Sequence, residues 1–156
     1  MATFTLTIAA PPRAVFDYIV EPRHRPEWQA SLRSVELVDA GAGAGTDSAP
    51  LGIGTRWIDH TAIGARPRLR ITEFRPPVGT TEPGVWREIG DWRGLHADLA
   101  MRFESAEELG SHTRVSGTVR ITGAPWWLPV RVVLQALAPA AVRSDLRRAA
   151  RILASA

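Results

Sequence analysis

The chain has 156 residues, of which 45% are hydrophobic and 22% charged, proportions that suit one globular domain able to bury a substantial core. It has no cysteine, which excludes disulfide scaffolds and thiolate metal sites. All 19 basic residues are arginine, the net charge is only +3, and the arginines alternate along strands or share one helix face, so no clustered nucleic-acid surface is read.

Thr3 to Ile8 alternates polar and apolar residues, the period-two pattern of a half-buried strand. Pro11 and Pro12 suit the first turn of a helix, where a missing N–H costs nothing, and Val15, Phe16, Tyr18 and Ile19 carry that helix to Pro22. His24 to Trp28 holds a second short helical turn. Leu32 to Val38 reads as a strand, and residues 39–51, rich in Gly, Ala, Ser and Asp, read as the longest loop. Further strands are expected over Gly54 to Ala62, over Arg68 to Phe74 and over Val85 to Trp92.

Two clearer strands follow. Leu95, Ala97, Leu99, Met101 and Phe103 alternate with His96, Asp98, Ala100, Arg102 and Glu104, and Val115, Gly117, Val119 and Ile121 alternate with Arg114, Ser116, Thr118 and Arg120. Together they predict an antiparallel hairpin with one buried face. From Pro125 the period becomes helical: Leu134, Ala138, Val142, Leu146, Ala149 and Leu153 share one side, and Arg143, Arg147 and Arg151 lie opposite. Pro139 is expected to kink or split this helix. An antiparallel sheet with one apolar face and one long amphipathic helix must bury those surfaces against each other, so a single α+β domain over 1–156 is expected.

The segments Ala10-Pro11-Pro12-Arg13-Ala14-Val15-Phe16-Asp17-Tyr18-Ile19, Pro26-Glu27-Trp28, Ser34-Val35-Glu36-Leu37, Gly52-Ile53-Gly54-Thr55-Arg56-Trp57, Ile71-Thr72-Glu73-Phe74-Arg75-Pro76-Pro77 and Thr113-Arg114-Val115 run in this order along nearly the whole chain. In them the chain resembles the helix-grip (Bet v 1-like, START-related) superfamily, and within it the polyketide cyclase/dehydrase and lipid-transport family of bacterial proteins. The resemblance implies a helix-grip fold: a seven-stranded curved antiparallel sheet wrapped around a long C-terminal helix, with two short helices after the first strand. It also implies a cavity for an apolar or aromatic small molecule, with Trp28, Trp57, Leu69, Ile71, Trp86, Leu99, Met101, Val119, Leu134 and Ala138 as the expected ligand contacts. It supplies no universal catalytic motif, and fold by itself does not settle function.

Chemistry in such a cavity needs an acid or base with a shifted pKa. Trp57, Asp59 and Thr61 share one strand face; if Trp57 turns inward, Asp59 enters the cavity, and the competing reading turns this strand to solvent and pairs Asp59 with an arginine in a structural ion pair. Trp86 and Glu88 are related in the same way and offer a second inward carboxylate. Asp59 and Glu88 are therefore the candidate catalytic residues, and the tryptophans are either core packing or ligand contacts. His96 is expected outside, His112 in a solvated turn, and His24 at the surface near the cavity mouth. The histidines show no metal-ligand spacing, so no metal and no cofactor are expected, and Gly41-Ala42-Gly43-Ala44-Gly45 reads as a loop rather than a phosphate cradle. Asp145 is expected to pair with Arg148 at the surface, the alternative being a place at the far end of the cavity.

Trp126-Trp127-Leu128, between Pro125 and Pro129, either plugs the end of the sheet or presents an apolar tip to a membrane. No basic segment followed by a long apolar run opens the chain, and a cytoplasmic location is expected. Three functions follow in order: a binding protein for a hydrophobic or aromatic small molecule; a polyketide cyclase or dehydratase using Asp59 or Glu88; and a lipid or quinone carrier touching membranes through Trp126 and Trp127. The partner is thus a small molecule and not nucleic acid, with the chain a monomer or homodimer.

Overall fold

A computed structural model describes residues 1–39, 50–108 and 110–156. The expected glycine-rich loop, with Gly41 to Gly45, lies outside the described residues. The elements in order are β1 (Ala2–Ile8), α1 (Pro12–Val20), a 3₁₀ turn (Pro22–His24), α2 (Arg25–Trp28), β2 (Leu32–Asp39), β3 (Arg56–Thr61), β4 (Arg68–Arg75), β5 (Gly84–Trp92), β6 (Leu95–Ser105), β7 (Thr113–Gly123), a second 3₁₀ turn (Pro125–Trp127) and α3 (Leu128–Ala154). The strands form one antiparallel sheet in the order β1-β7-β6-β5-β4-β3-β2, curved around α3 in the helix-grip arrangement.

Alternation along the strands fixes which face is buried. In β1 Phe4 and Ile8 are buried, and in β7 Val115 and Val119. These join Phe16, Ile19, Trp28, Trp57, Ile71, Trp86, Phe103 and Leu146 in one core. Phe16 from α1 meets Phe74 and Phe103 edge-on, with ring centroids 5.4 and 5.2 Å away, so the first helix is anchored by aromatic contact with the sheet. Gly117 of β7 permits the closest approach in this region: a Cβ there would lie 2.3 Å from the Ala100 carbonyl oxygen and 2.6 Å from the Phe4 ring.

Two expectations for α3 hold only in part. Pro139 lies inside a helix that runs unbroken from Leu128 to Ala154, so of the two expected outcomes the split does not occur; the lost N–H bond costs one rung. The inward stripe also holds only in part. Leu146 and Ala149 are buried, and Ala138, Val142 and Leu153 pack against the core, but Leu134 is 39% exposed. The reason lies at the end of β7. β1 pairs with β7 only as far as Ala2 opposite Val119, so the β7 backbone beyond loses its strand partner. Gln135 of α3 replaces it, accepting from Ile121 N at 2.7 Å and donating to Val119 O at 3.0 Å, while Arg131 Nη1 donates to Gly123 O at 3.0 Å. Buried backbone groups require such partners, and this need turns the polar side of the helix start inward.

Candidate functional site

The site begins with the cap between β1 and β2. Pro22 opens a 3₁₀ turn whose first N–H groups are held by Glu21, which accepts from Arg23 N at 3.1 Å. Pro26 then sits in the first turn of α2, and Gln29 N donates to Arg25 O at 2.8 Å to close it. Residues three apart on a helical turn share a face, so Arg25 and Trp28 both point into the protein, 4% and 1% exposed.

Opposite them, β3 and β5 deliver carboxylates. Trp57 and Asp59 of β3 are buried, as are Trp86 and Glu88 of β5, so both pairs turn inward. Arg25 reaches both acids. Its Nη1 donates to Glu88 Oε2 at 2.8 Å, and its Nη2 donates to Glu88 Oε1 at 3.3 Å and to Asp59 Oδ2 at 3.2 Å. Trp57 Nε1 donates to Asp59 Oδ1 at 3.0 Å, and the Trp57 ring lies 5.2 Å from Arg25 Cζ. Asp59 thus turns inward, and of the competing reading only the arginine partner holds, since the strand face is buried and not solvated.

Burial is the main force on Glu88 and pushes its carboxyl up to about 7; the negative Asp59 adds to the rise and Arg25 opposes it. Burial alone would lower the Arg25 guanidinium, but Glu88 and Asp59 outweigh it and raise it. Near neutral pH Glu88 therefore exchanges its proton beside a fixed cation. Arg25 Nε is buried without a partner, leaving one donor free.

Arg25 and Glu88 also line a cavity of about 350 Å³ between the sheet and α3. Leu69, Leu99, Val119, Ile121, Leu134 and Val142 give it apolar walls, and Gln29, Ser31 and Asp145 add polar groups. Of the expected contacts, Leu69, Leu99, Val119 and Leu134 lie in this lining. Trp28, Trp57, Ile71, Trp86 and Met101 do not; they are fully packed in the core, where large apolar side chains bury the most surface. Ala138 packs against that core outside the lining. Asp59 stands behind Arg25 and is not part of the cavity wall.

Asp145 departs from the expected surface pair: it accepts from Ala30 N at 3.2 Å and lines the cavity, and burial raises its pKa. His96 is exposed and paired with Asp91. His24 stacks on Tyr18 with ring centroids 4.7 Å apart. Among the described residues no group of His, Asp and Glu could hold a metal ion.

The sequence does not single out Arg25. Its signal is the three-residue spacing to Trp28 in a proline-opened turn, but with 19 arginines in the chain nothing local distinguishes it. Only the meeting of two buried carboxylates requires a cation there.

The family profile for polyketide cyclase / dehydrase and lipid transport matches residues 1–156. The chain belongs to that family. No curated protein matches it in sequence. Among solved structures it is similar to the hypothetical protein jhp0584 from Helicobacter pylori, at 15% identity over 94% of this chain and 83% of that one, with a TM-score of 0.67. It is similar to norcoclaurine synthase from Thalictrum flavum, solved with dopamine and hydroxybenzaldehyde, at 9% identity over 99% and 86%, TM-score 0.64. It is also similar to the di-domain ARO/CYC StfQ of the steffimycin biosynthetic pathway, at 14% identity over 93% of this chain and 45% of that one, TM-score 0.56. At these identities the likeness is one of fold. Members of the family share the fold that frames this cavity, and the Arg25–Asp59–Glu88 cluster is read from this chain's own residues.

Proposed function

We propose that this family member binds a hydrophobic or aromatic small molecule in the cavity between the sheet and α3, with the ligand's polar end against Arg25 and Glu88. One observation carries the reading: an apolar cavity of about 350 Å³ has a buried charged pair in its wall. Ligand pockets combine mainly apolar walls with a few placed polar groups. The ligand's polar end meets the Arg25–Glu88 pair in the wall, and its ring or chain lies along Leu69, Leu99 and Val119. The test is a titration with 2-naphthol and with oleate, followed by tryptophan fluorescence and thermal shift. Quenching and a raised Tm are expected, and both should be lost in Leu99→Trp, which fills the cavity. A folded chain that responds to neither probe overturns the reading.

A second reading is an enzyme of the cyclase or dehydratase type. It is favoured by Glu88, whose carboxyl, pushed up to about 7, is poised to give or take a proton near neutral pH. Glu88 would be the acid/base, with Arg25 holding the substrate oxygen and Asp59 positioning Arg25. Unchanged turnover of a polyketide-like substrate in Glu88→Gln would remove Glu88 from that role.

A further inference from the structure

We propose that the outward face of the first half of α3, with Trp126, is a docking surface for an anionic lipid bilayer. Three observations meet here. The first is an inversion of the usual helix pattern. Arg131 and Gln135 turn inward to the β7 backbone, while Trp126, Val130, Val133 and Leu137 turn to solvent, at 75%, 41%, 55% and 59% exposure. These four recur at helical spacing and make one strip along the outward side of the helix start. A soluble monomer seldom leaves such a strip uncovered.

The second observation is charge. The same outward face continues along α3 into Ser144, Arg147, Arg148 and Arg151, all exposed. Asp145 is the sole acidic side chain after Glu108, and it faces the cavity, bonded to Ala30 N. Along α3 the face is therefore apolar at one end and carries Arg147, Arg148 and Arg151 at the other, with Arg148 also near Tyr18 and its partner Glu27. An anionic bilayer complements both parts, because the apolar strip enters the acyl boundary and the arginines meet phosphate headgroups. A second copy could cover the apolar strip, and ultracentrifugation of the free chain detects that alternative.

The third observation is the tip. Trp126 lies beside the Arg93–Gly94 turn, whereas Trp127 is tied down, its Nε1 donating to Arg93 O at 2.8 Å and its ring 5.8 Å from Trp92. Of the two tryptophans only Trp126 is free to enter an interface, the position that indole rings prefer in membranes. No helix among the described residues is long and apolar enough to cross a bilayer, so the surface lies on the membrane and does not span it. Leu134 belongs both to this half of α3 and to the cavity lining, which sets the docking face beside the cavity wall.

The experiment is co-sedimentation of the full chain with vesicles of phosphatidylcholine alone and with about 30 mol% phosphatidylserine, with analytical ultracentrifugation of the free chain in parallel. Binding is expected only with phosphatidylserine, weakening as salt rises. Val133→Asp/Leu137→Asp should reduce it at least about tenfold, and each of Arg147→Gln, Arg148→Gln and Arg151→Gln about fivefold. These positions are exposed, so unchanged Tm and unchanged 2-naphthol response verify that each variant is folded and separate this outcome from any failure of the cavity reading. Two results overturn the proposal: no binding to either vesicle by the wild-type chain, or a dimer in solution that Val133→Asp/Leu137→Asp dissociates while vesicle binding is unaffected or absent.

Discussion

The Arg25–Asp59–Glu88 cluster and the first half of α3 break the same rule in opposite directions. One puts three charges inside the core, each 5% exposed or less, and the other puts valines and leucines into water. The first exception is settled within the chain: Arg25 bonds to both acids, and Trp57 donates to Asp59. The second is not, since Arg131 and Gln135 satisfy the end of β7 and the apolar side is left without a partner among the described residues. Buried charges removed from their partners cost several kcal/mol, whereas an exposed leucine costs the fold little. A feature compensated internally should therefore govern stability, and one compensated externally should govern binding.

The largest expected effect breaks the first region. Arg25→Met leaves two buried carboxylates facing each other and should cost about 3–5 kcal/mol in urea unfolding. The loss should be greater at about pH 8 than at about pH 5, because a proton on Glu88 relieves the repulsion.

A smaller effect comes from pH alone. Glu88 binds its proton more tightly folded than unfolded, so its contribution to stability is complete below its ordinary value of 4.5 and is lost as pH rises through about 7. The fall should amount to at most about 3 kcal/mol across that range. Glu88→Gln, which keeps an acceptor for Arg25 and removes the titration, should flatten the profile measured by thermal unfolding. A profile as steep as the wild type's would assign the pH dependence to another group.

The smallest effect sharpens the second region. Leu137→Ser on the outward face should change stability by no more than about 0.5 kcal/mol, while lowering partition onto phosphatidylserine vesicles. A large loss of stability there would mean that this side of α3 is covered within the folded chain.

Much of the framework was legible beforehand because it rests on local pattern. The period-two runs of β6 and β7 gave a hairpin paired from Leu95 opposite Gly123 to Ser105 opposite Thr113. The prolines at 11, 12 and 22 marked the bounds of α1. Trp57 with Asp59, and Trp86 with Glu88, were readable as same-face pairs because side chains two apart on a strand share a face. Which face was buried was not readable there, since each strand mixes apolar and charged residues on both sides.

The residues by themselves determined the order of elements and the two carboxylates as candidates, because periodicity, proline placement and alternation act over a few neighbours, while the helix-grip layout followed from the family resemblance. Tertiary structure alone decided that Arg25 joins those carboxylates, that Asp59 stands behind the cavity wall while Glu88 and Asp145 line it, and that the first half of α3 turns its apolar side outward. Those outcomes depend on partners distant in sequence: Arg25 and Glu88 are 63 residues apart, and Gln135 turns inward because β1 ends where β7 continues. No local pattern records where a neighbouring strand stops.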